Sequence, residues 1–264
     1  MTTKEEILQN CTVEGTTVKL PATQLDRKLY QEVAKSLELI GGKWKGGKVF
    51  GFIFPNDPTD LLHQIANGEK RNLKKEYQFF ATPPELADYL CELAWEKKEI
   101  HYINTWDTAY RLTKVLEPSA GQGAIIDAIR RKAGLCSVHA FELMDVNREI
   151  LKQKYESSEY FLLAAEKDFL NAKEETKFNW IIANPPFNKN QDVEHIKKMY
   201  NLLAESSVLV SVASEHWVNS SNKKETEFRE WLKEVNAEIF DIPRGSFKES
   251  GTMVGGKIIR IVKC

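Results

Sequence analysis

The chain has 264 residues, of which 42% are hydrophobic and 10% aromatic, and its 37 Lys+Arg against 38 Asp+Glu leave a net charge of -1. That length and apolar content fit one large α/β domain, or a domain with a small extension, and exclude a disordered chain. The balanced charge gives no global sign of a nucleic-acid partner, although a local basic face would not show in the sum. Four scattered cysteines (Cys11, Cys91, Cys136 and Cys264) form no C-x-x-C pair. They exclude a zinc site and a disulfide framework and suit a reducing cytoplasm, where the protein is expected. No apolar run approaches the roughly 18 residues of a membrane span, and the opening "MTTKEEILQN" is too polar for a signal peptide.

In chain order, the first pattern is "PATQLDRKLYQEVAKSLELIGG", where Leu25, Leu29, Val33, Leu37 and Ile40 fall on one helical stripe that Gly41-Gly42 can end. "KVFGFIFP" reads as a short strand or hairpin closed by Pro55, and Asp57-Pro58 start a further short helix ending near Gly68. "EKRNLKKEY" is a polar, basic connector. Residues 1–76 therefore read as a small α+β extension, and 77–264 as the main domain. "QFFATPPELADYL" follows, with Thr82 and Glu85 spaced as a capping box and Pro83 at the first helical position. Strand patterns then recur at Lys114–Glu117, Ser137–Glu142, Tyr160–Ala164, Trp180–Ala183, Val208–Ala213, Glu238–Asp241 and Lys257–Val262. Helical stretches separate the first six, which predicts a mostly parallel seven-stranded sheet with helices on both faces. The last two are joined by a loop, "IPRGSFKESGTMVGG", and are expected to pair antiparallel at one edge.

"VLEPSAGQGAI" is a strand, a glycine-rich turn and a helix start, in which Gly121 and Gly123 let the backbone approach a ligand. The next strand pattern ends at Glu142, 19 positions after Gly123, where an acid can hold a ribose through its hydroxyls. The turn lacks the Gly-Lys-Ser/Thr ending of a phosphate loop, and Glu117 would repel a pyrophosphate. A ligand with a ribose and positive charge fits better, and S-adenosylmethionine has both. Asp168 and Phe169, after the third strand pattern, are placed to take its adenine, the acid on the amino group and the ring against its face.

"IIANPPF" ends a buried strand in an amide, two prolines and an aromatic. An exocyclic amine on a base is a poor nucleophile because its lone pair is delocalised into the ring. The Asn184 side-chain oxygen and the Pro185 carbonyl can each accept one N–H, which draws the nitrogen towards sp³ character. The prolines stiffen the turn, and Phe187 offers a face for a base to stack on, worth about 1–3 kcal/mol. The chemistry is then positioning and electrostatics.

These motifs together resemble the class I S-adenosylmethionine-dependent methyltransferases, and more closely the DNA adenine-N6 amino-methyltransferases of restriction–modification systems, phages and mobile elements. The resemblance covers about residues 77–264. It implies a Rossmann-like fold and assigns Phe80, Thr82 and Pro83 of "QFFATPP" to the methionine end of the cofactor. "EPSAGQG" (Glu117, Ser119, Ala120, Gly121 and Gly123 among its residues) is similar to the cofactor loop, Glu142 to the ribose-binding acid, and Asp168-Phe169 to the adenine site. Asn184, Pro185, Pro186 and Phe187 fill the four places of the catalytic motif, with Asn184 also beside the cofactor. Phe247 in "GSFKESGT" is similar to the second aromatic that holds a flipped base.

Only 77 residues follow Phe187, and the fold needs nearly all of them. Target recognition then falls to residues 1–76, to short loops, or to a specificity subunit or second copy. Phosphate contacts are expected from Lys43, Lys45 and Lys48 around Trp44, from Lys70, Arg71, Lys74 and Lys75, from Lys223-Lys224, and first from Lys189, two residues after Phe187. His195 reads as structural or substrate-positioning, and no metal site is expected. Three other readings stand beside DNA adenine-N6 methylation: an RNA adenine or guanine amine methyltransferase, a protein-glutamine methyltransferase, and a cofactor-binding subunit without turnover in a larger DNA-modifying or defence complex.

Overall fold

The structure is a computed structural model and describes residues 2–54, 57–73, 82–95, 113–133, 136–242 and 256–263. The chain divides into two compact units, Met1–Phe79 and Phe80–Cys264.

The first unit is α+β. Helix α1 (Lys4–Gln9) opens on a capping box, in which the Glu6 N–H donates to the Thr3 hydroxyl at 3.2 Å and the Thr3 N–H to the Glu6 carboxylate at 2.9 Å. Strands β1 (Thr12–Glu14) and β2 (Thr17–Lys19) follow, then α2 (Arg27–Leu39), whose first turn donates its Lys28 and Leu29 N–H groups to Asp26. Val33 and Leu37 of the predicted stripe are buried, as is Ile40 just beyond the helix. Strands β3 (Lys43–Lys45) and β4 (Gly51–Ile53) form an antiparallel hairpin, and α3 (Thr59–Ala66) closes the unit's described elements. The sheet order is β1-β2-β4-β3, so β3 is an edge strand. Apolar residues of the unit, among them Ile7, Leu8, Val18, Leu37 and Phe52, make a core of their own. Neither α1 nor the β1–β2 hairpin stands out in the sequence, because three-residue strands are too short to show a period.

The second unit is a Rossmann-like three-layer sandwich. After α4 (Pro84–Trp95) come β5 (Lys114–Glu117), α5 (Ala124–Ala133), β6 (Ser137–Ala140), α6 (Asp145–Tyr155), β7 (Phe161–Leu163), β8 (Phe178–Ala183), α7 (Gln191–Leu202), β9 (Leu203–Ser214), α8 (His216–Asn219), α9 (Lys223–Glu234), β10 (Glu238–Asp241) and β11 (Gly256–Lys263). The sheet order is β10-β11-β9-β8-β5-β6-β7. Strands β5 to β9 pair in parallel, and β11 runs antiparallel to both β9 and β10, so antiparallel pairing is confined to that end.

Successive residues of the central strands serve opposite layers, as the period of two requires. Val115, Ile182, Val208 and Val210 pack with α4, α5 and α6. Leu116, Ile181 and Leu209 pack with α7 and α9. Burial on both faces is why these strands read as continuous apolar runs rather than alternating ones. Strand order reverses at β5, whose neighbours lead to β8 on one side and β6 on the other. In open parallel sheets, ligands bind outside the carboxyl ends at such a point.

Candidate functional site

The carboxyl ends of β5, β6, β7 and β8 carry the residues that the sequence singles out. Glu117 is the last residue of β5. Glu142 lies two residues beyond the end of β6 at Ala140, so the strand is shorter than its pattern suggested. Asp168 follows the loop after β7, and Asn184 comes directly after β8. Phe80 and Phe247, expected at the cofactor and at the base, lie outside the described residues.

The glycine turn is built tightly against β6. The Ala120 N–H donates to the Phe141 carbonyl and the Phe141 N–H to the Glu117 carbonyl, both at 2.9 Å. Gly121 and Gly123 have φ of 54° and 87°, the left-handed region that favours glycine. At Gly123 a Cβ would stand 2.5 Å from the Tyr155 hydroxyl. That hydroxyl donates to Asp127 at 2.6 Å and lies 3.1 Å from the Gly123 carbonyl, so α6 supports the turn from behind.

Glu117 is fully buried, and one of its oxygens accepts the Ser119 N–H at 3.0 Å. Among the described residues the other, Oε2, has no partner, and neither does the buried Ser119 hydroxyl. Burial, with the negative field of Glu142 added, pushes the Glu117 carboxyl up to about 8, against the Ser119 hydrogen bond. Glu142 is buried too, and its carboxyl is raised by burial while N–H donors oppose the shift. Those donors are Gly121 and Met144, both at 2.7 Å. Oε2 of Glu142 holds one bond and keeps room for another. Arg148, which the sequence did not single out, donates to the Glu142 carbonyl at 3.2 Å and the Ala164 carbonyl at 2.7 Å, tying the ends of β6 and β7 together. Two buried carboxyl groups, with two polar atoms unpartnered among the described residues, line the turn. It fits an ammonium or sulfonium carried on a ribose.

Asp168 and Phe169 form a turn after β7. The Asp168 oxygens accept the Leu170 N–H at 2.9 Å and the Asn171 side-chain amide at 3.0 Å, closing a turn. Phe169 is 2% exposed. Its ring lies 5.3 Å from Phe141 and 5.5 Å from His195, so its faces are spent on the core rather than left for an adenine. Lys198 holds this turn from α7. Its ammonium donates to the carbonyls of Phe169 at 2.6 Å, Leu170 at 3.0 Å and Ala172 at 2.6 Å, and sits 4.9 Å over the Phe169 ring. His195 is buried, bonded to the Gln191 carbonyl at 2.9 Å and driven towards its neutral form by burial, as befits a structural residue.

At the "NPPF" turn, Pro185 is buried and Asn184, Pro186 and Phe187 are half-buried, Phe187 against the layer of α4 and α5. Helix α4 begins at Pro84, with the Pro83 carbonyl accepting its first bond, so Thr82 does not cap it. Instead the Thr82 hydroxyl accepts the Asn184 side-chain N–H at 3.1 Å. That contact turns the amide so that Oδ1 has no partner among the described residues. Lys189 and Asn190 both adopt left-handed backbone, φ 53° and 61°. The Asn190 amide donates to Glu225 of α9 at 2.9 Å, and Asp192 accepts the Ser214 N–H and hydroxyl, both at 2.8 Å. The turn is thereby bound to the end of β9. Lys189 is exposed and has no ion-pair partner among the described residues. Among the described residues no group of His, Cys, Asp or Glu could hold a metal, and no helix is long and apolar enough to cross a membrane.

Comparisons with known proteins agree with this geometry. The sequence model of the methyltransferase small domain matches residues 103–239, more than half of the chain. No curated protein matches in sequence. Among solved structures, a Listeria monocytogenes protein inferred to be a class I S-adenosylmethionine-dependent methyltransferase superposes with a TM-score of 0.53 at 12% identity, over 78% of this chain and 66% of its own. The chain thus spans just under two thirds of that protein. A Pyrococcus horikoshii protein inferred to be an RNA methyltransferase has a TM-score of 0.50 at 17% identity, over 88% of this chain and 98% of its own. The 23S rRNA methyltransferase ErmE has a TM-score of 0.50 at 14% identity, over 70% of each chain. At these identities the likeness is one of fold.

Proposed function

Because the chain belongs to the methyltransferase small domain family, we propose that it transfers a methyl group to an exocyclic amine of a nucleic-acid base, first the N6 amine of adenine in DNA. The observation that carries this reading is the Asn184 amide, held by Thr82 with its oxygen unpartnered at the end of β8. An amine is activated by acceptors, and the Asn184 N–H is already given to Thr82, which leaves the side-chain oxygen without a partner among the described residues.

S-adenosylmethionine, the cofactor of class I methyltransferases, supplies when bound an electrophilic methyl on a sulfonium. The residues that would hold it are Glu117 and Ser119, whose Oε2 and hydroxyl have no partner among the described residues, Gly121 and Gly123, which keep the turn free of side chains, and Glu142 for the ribose. On the substrate side, Asn184 Oδ1 and the Pro185 carbonyl accept the two N–H groups of the amine. Pro186 stiffens the turn and Phe187 bears on the base. The proton left on nitrogen after transfer is acidic enough to leave to water. An amine in a duplex is reached only by turning the base out, at a cost of a few kcal/mol. Lys189, exposed beside the turn, is suited to meet a phosphate that helps offset this cost.

A second reading, methylation of an adenine or guanine amine in RNA, is supported by the presence of RNA methyltransferases among the solved structures of this fold. One experiment separates the two. Methyl transfer from labelled cofactor is run on unmethylated genomic DNA and on total RNA, followed by digestion to nucleosides and mass spectrometry. The expected product is N6-methyldeoxyadenosine. Asn184→Ala is expected to lower turnover by about 10²-fold or more while the cofactor dissociation constant stays near wild type. Methylated RNA nucleosides alone would select the second reading, and an Asn184→Ala variant with full turnover would sink the mechanism.

A further inference from the structure

We propose that the β3–β4 hairpin of the first unit is a binding surface for single-stranded nucleic acid, with Trp44 and Phe50 stacking on unpaired bases and Lys43, Lys45 and Lys48 meeting phosphates. This deepens the reading of a nucleic-acid substrate and rests on it.

Two large rings stand in solvent here, Trp44 at 41% and Phe50 at 70% exposed. They meet edge to face with centroids 5.2 Å apart, and Trp44 makes a second such contact, also 5.2 Å, with the buried Phe52 across the hairpin. The indole is thus anchored from below while its outer surface stays open. Phe50 reaches its position through a φ of 41°, uncommon for a bulky residue and costly unless something is gained from it. Lys43, Lys45 and Lys48 are all exposed and none has an acidic partner among the described residues. Between Glu38 and Asp57 the sequence carries these three lysines and no acid.

The Lys223-Lys224 cluster differs, and Lys74 and Lys75 lie outside the described residues. Lys223 pairs with Glu227 at 3.7 Å and Lys224 with Glu194 at 2.6 Å, so their charge is already neutralised. Lysines on an edge strand also guard against sheet-to-sheet pairing. That role accounts for Lys43 and Lys45 but not for two exposed aromatics beside them, which would favour such pairing. Aromatic faces interleaved with unneutralised cations are what a flexible polyanion with open π-faces requires.

The test is fluorescence anisotropy of the full chain with labelled 12-nucleotide strands of DNA and of RNA, and with a DNA duplex of the same sequence. Trp44→Ala/Phe50→Ala is expected to raise the single-strand Kd by about 10- to 100-fold and to affect the duplex less. Lys43→Gln/Lys45→Gln/Lys48→Gln is expected to flatten the slope of log K against log salt by about 2, at roughly 0.7 per phosphate contact. Both variants should keep the wild-type circular-dichroism spectrum and melting curve, which serve as the check on folding. The DNA and RNA arms show which strand is preferred, and tighter binding of either single strand supports the proposal. Unchanged single-strand Kd and salt slope in both variants would overturn it. If methyl transfer to nucleic acid is found but the hairpin variants bind like wild type, this inference alone fails. If the hairpin variants lose binding but no nucleic acid is methylated, the catalytic reading alone fails.

Discussion

Asn184 shares its amide with a hydroxyl 102 residues earlier in the chain. A free asparagine side chain samples two amide orientations, and only one presents oxygen to an amine. In the proposed mechanism Thr82 favours that orientation by taking the N–H. Thr82→Val, similar in shape but without the acceptor, is expected to reduce kcat about tenfold, with Thr82→Ser restoring most of it. If Thr82 serves only the methionine end of the cofactor, the change will appear in the cofactor Kd and not in kcat. Glu117 gives a second prediction. Its carboxyl titrates at about 8 when folded against 4.5 as the unperturbed value. Between these limits the folded state holds the extra proton, so stability falls as pH rises through the window and levels off above it. Glu117→Gln removes that penalty. Its melting temperature should exceed that of wild type by a margin that grows from about pH 5 to about pH 8 and vanishes near pH 4.5. A cation beside Glu117 favours the carboxylate, so cofactor binding near neutral pH should release a proton, measurable by calorimetry in buffers of different ionisation enthalpy.

At the scale of elements, the site depends on helices that do not themselves reach it. Tyr155 of α6 backs the glycine turn, Glu225 of α9 holds Asn190, and Lys198 of α7 gathers three carbonyls of the turn after β7. Burial holds the pKa of the Lys198 ammonium below its ordinary value, and nearby acids, Asp168 first, oppose only part of that shift. Lys198→Met would leave three carbonyls without their donor, at about 1–3 kcal/mol for an unsatisfied buried group. The expected result is a lower melting temperature and a cofactor Kd raised several-fold, with kcat at saturating cofactor within about twofold of wild type. A loss of kcat at unchanged Kd would show that Lys198 acts on the catalytic turn instead.

Over the whole molecule, the sequence was most legible where a period ran long enough to be seen. The seven strands of the main sheet were all visible, because strands buried on both faces carry apolar runs bounded by turns. The glycine turn, Glu142 and the "NPPF" segment were visible because their residue types are unusual at strand ends. Arg148, Lys198 and Asp192 were not, since each acts through backbone carbonyls, a backbone N–H or a hydroxyl brought near by folding alone. Thr82 showed itself as a capping residue by spacing, and the tertiary contact to Asn184 overrode that local preference. Phe169 followed the opposite course: a motif position implied a ligand contact, and the packing of Phe141 and His195 claimed the ring for the core.

Strand β11 is the last of the seven to be synthesised, yet it lies inside the sheet, in register with β9 over eight residue pairs and with β10 over four. Until Gly256 and its successors have left the ribosome, β9 and β10 present open edges and the sheet stays in two pieces. Domains form as their chains emerge, and unpaired edges invite association with other chains. A chain lacking Gly256–Lys263 is therefore expected to aggregate rather than form a merely weakened fold, which size-exclusion chromatography of such a truncation would check.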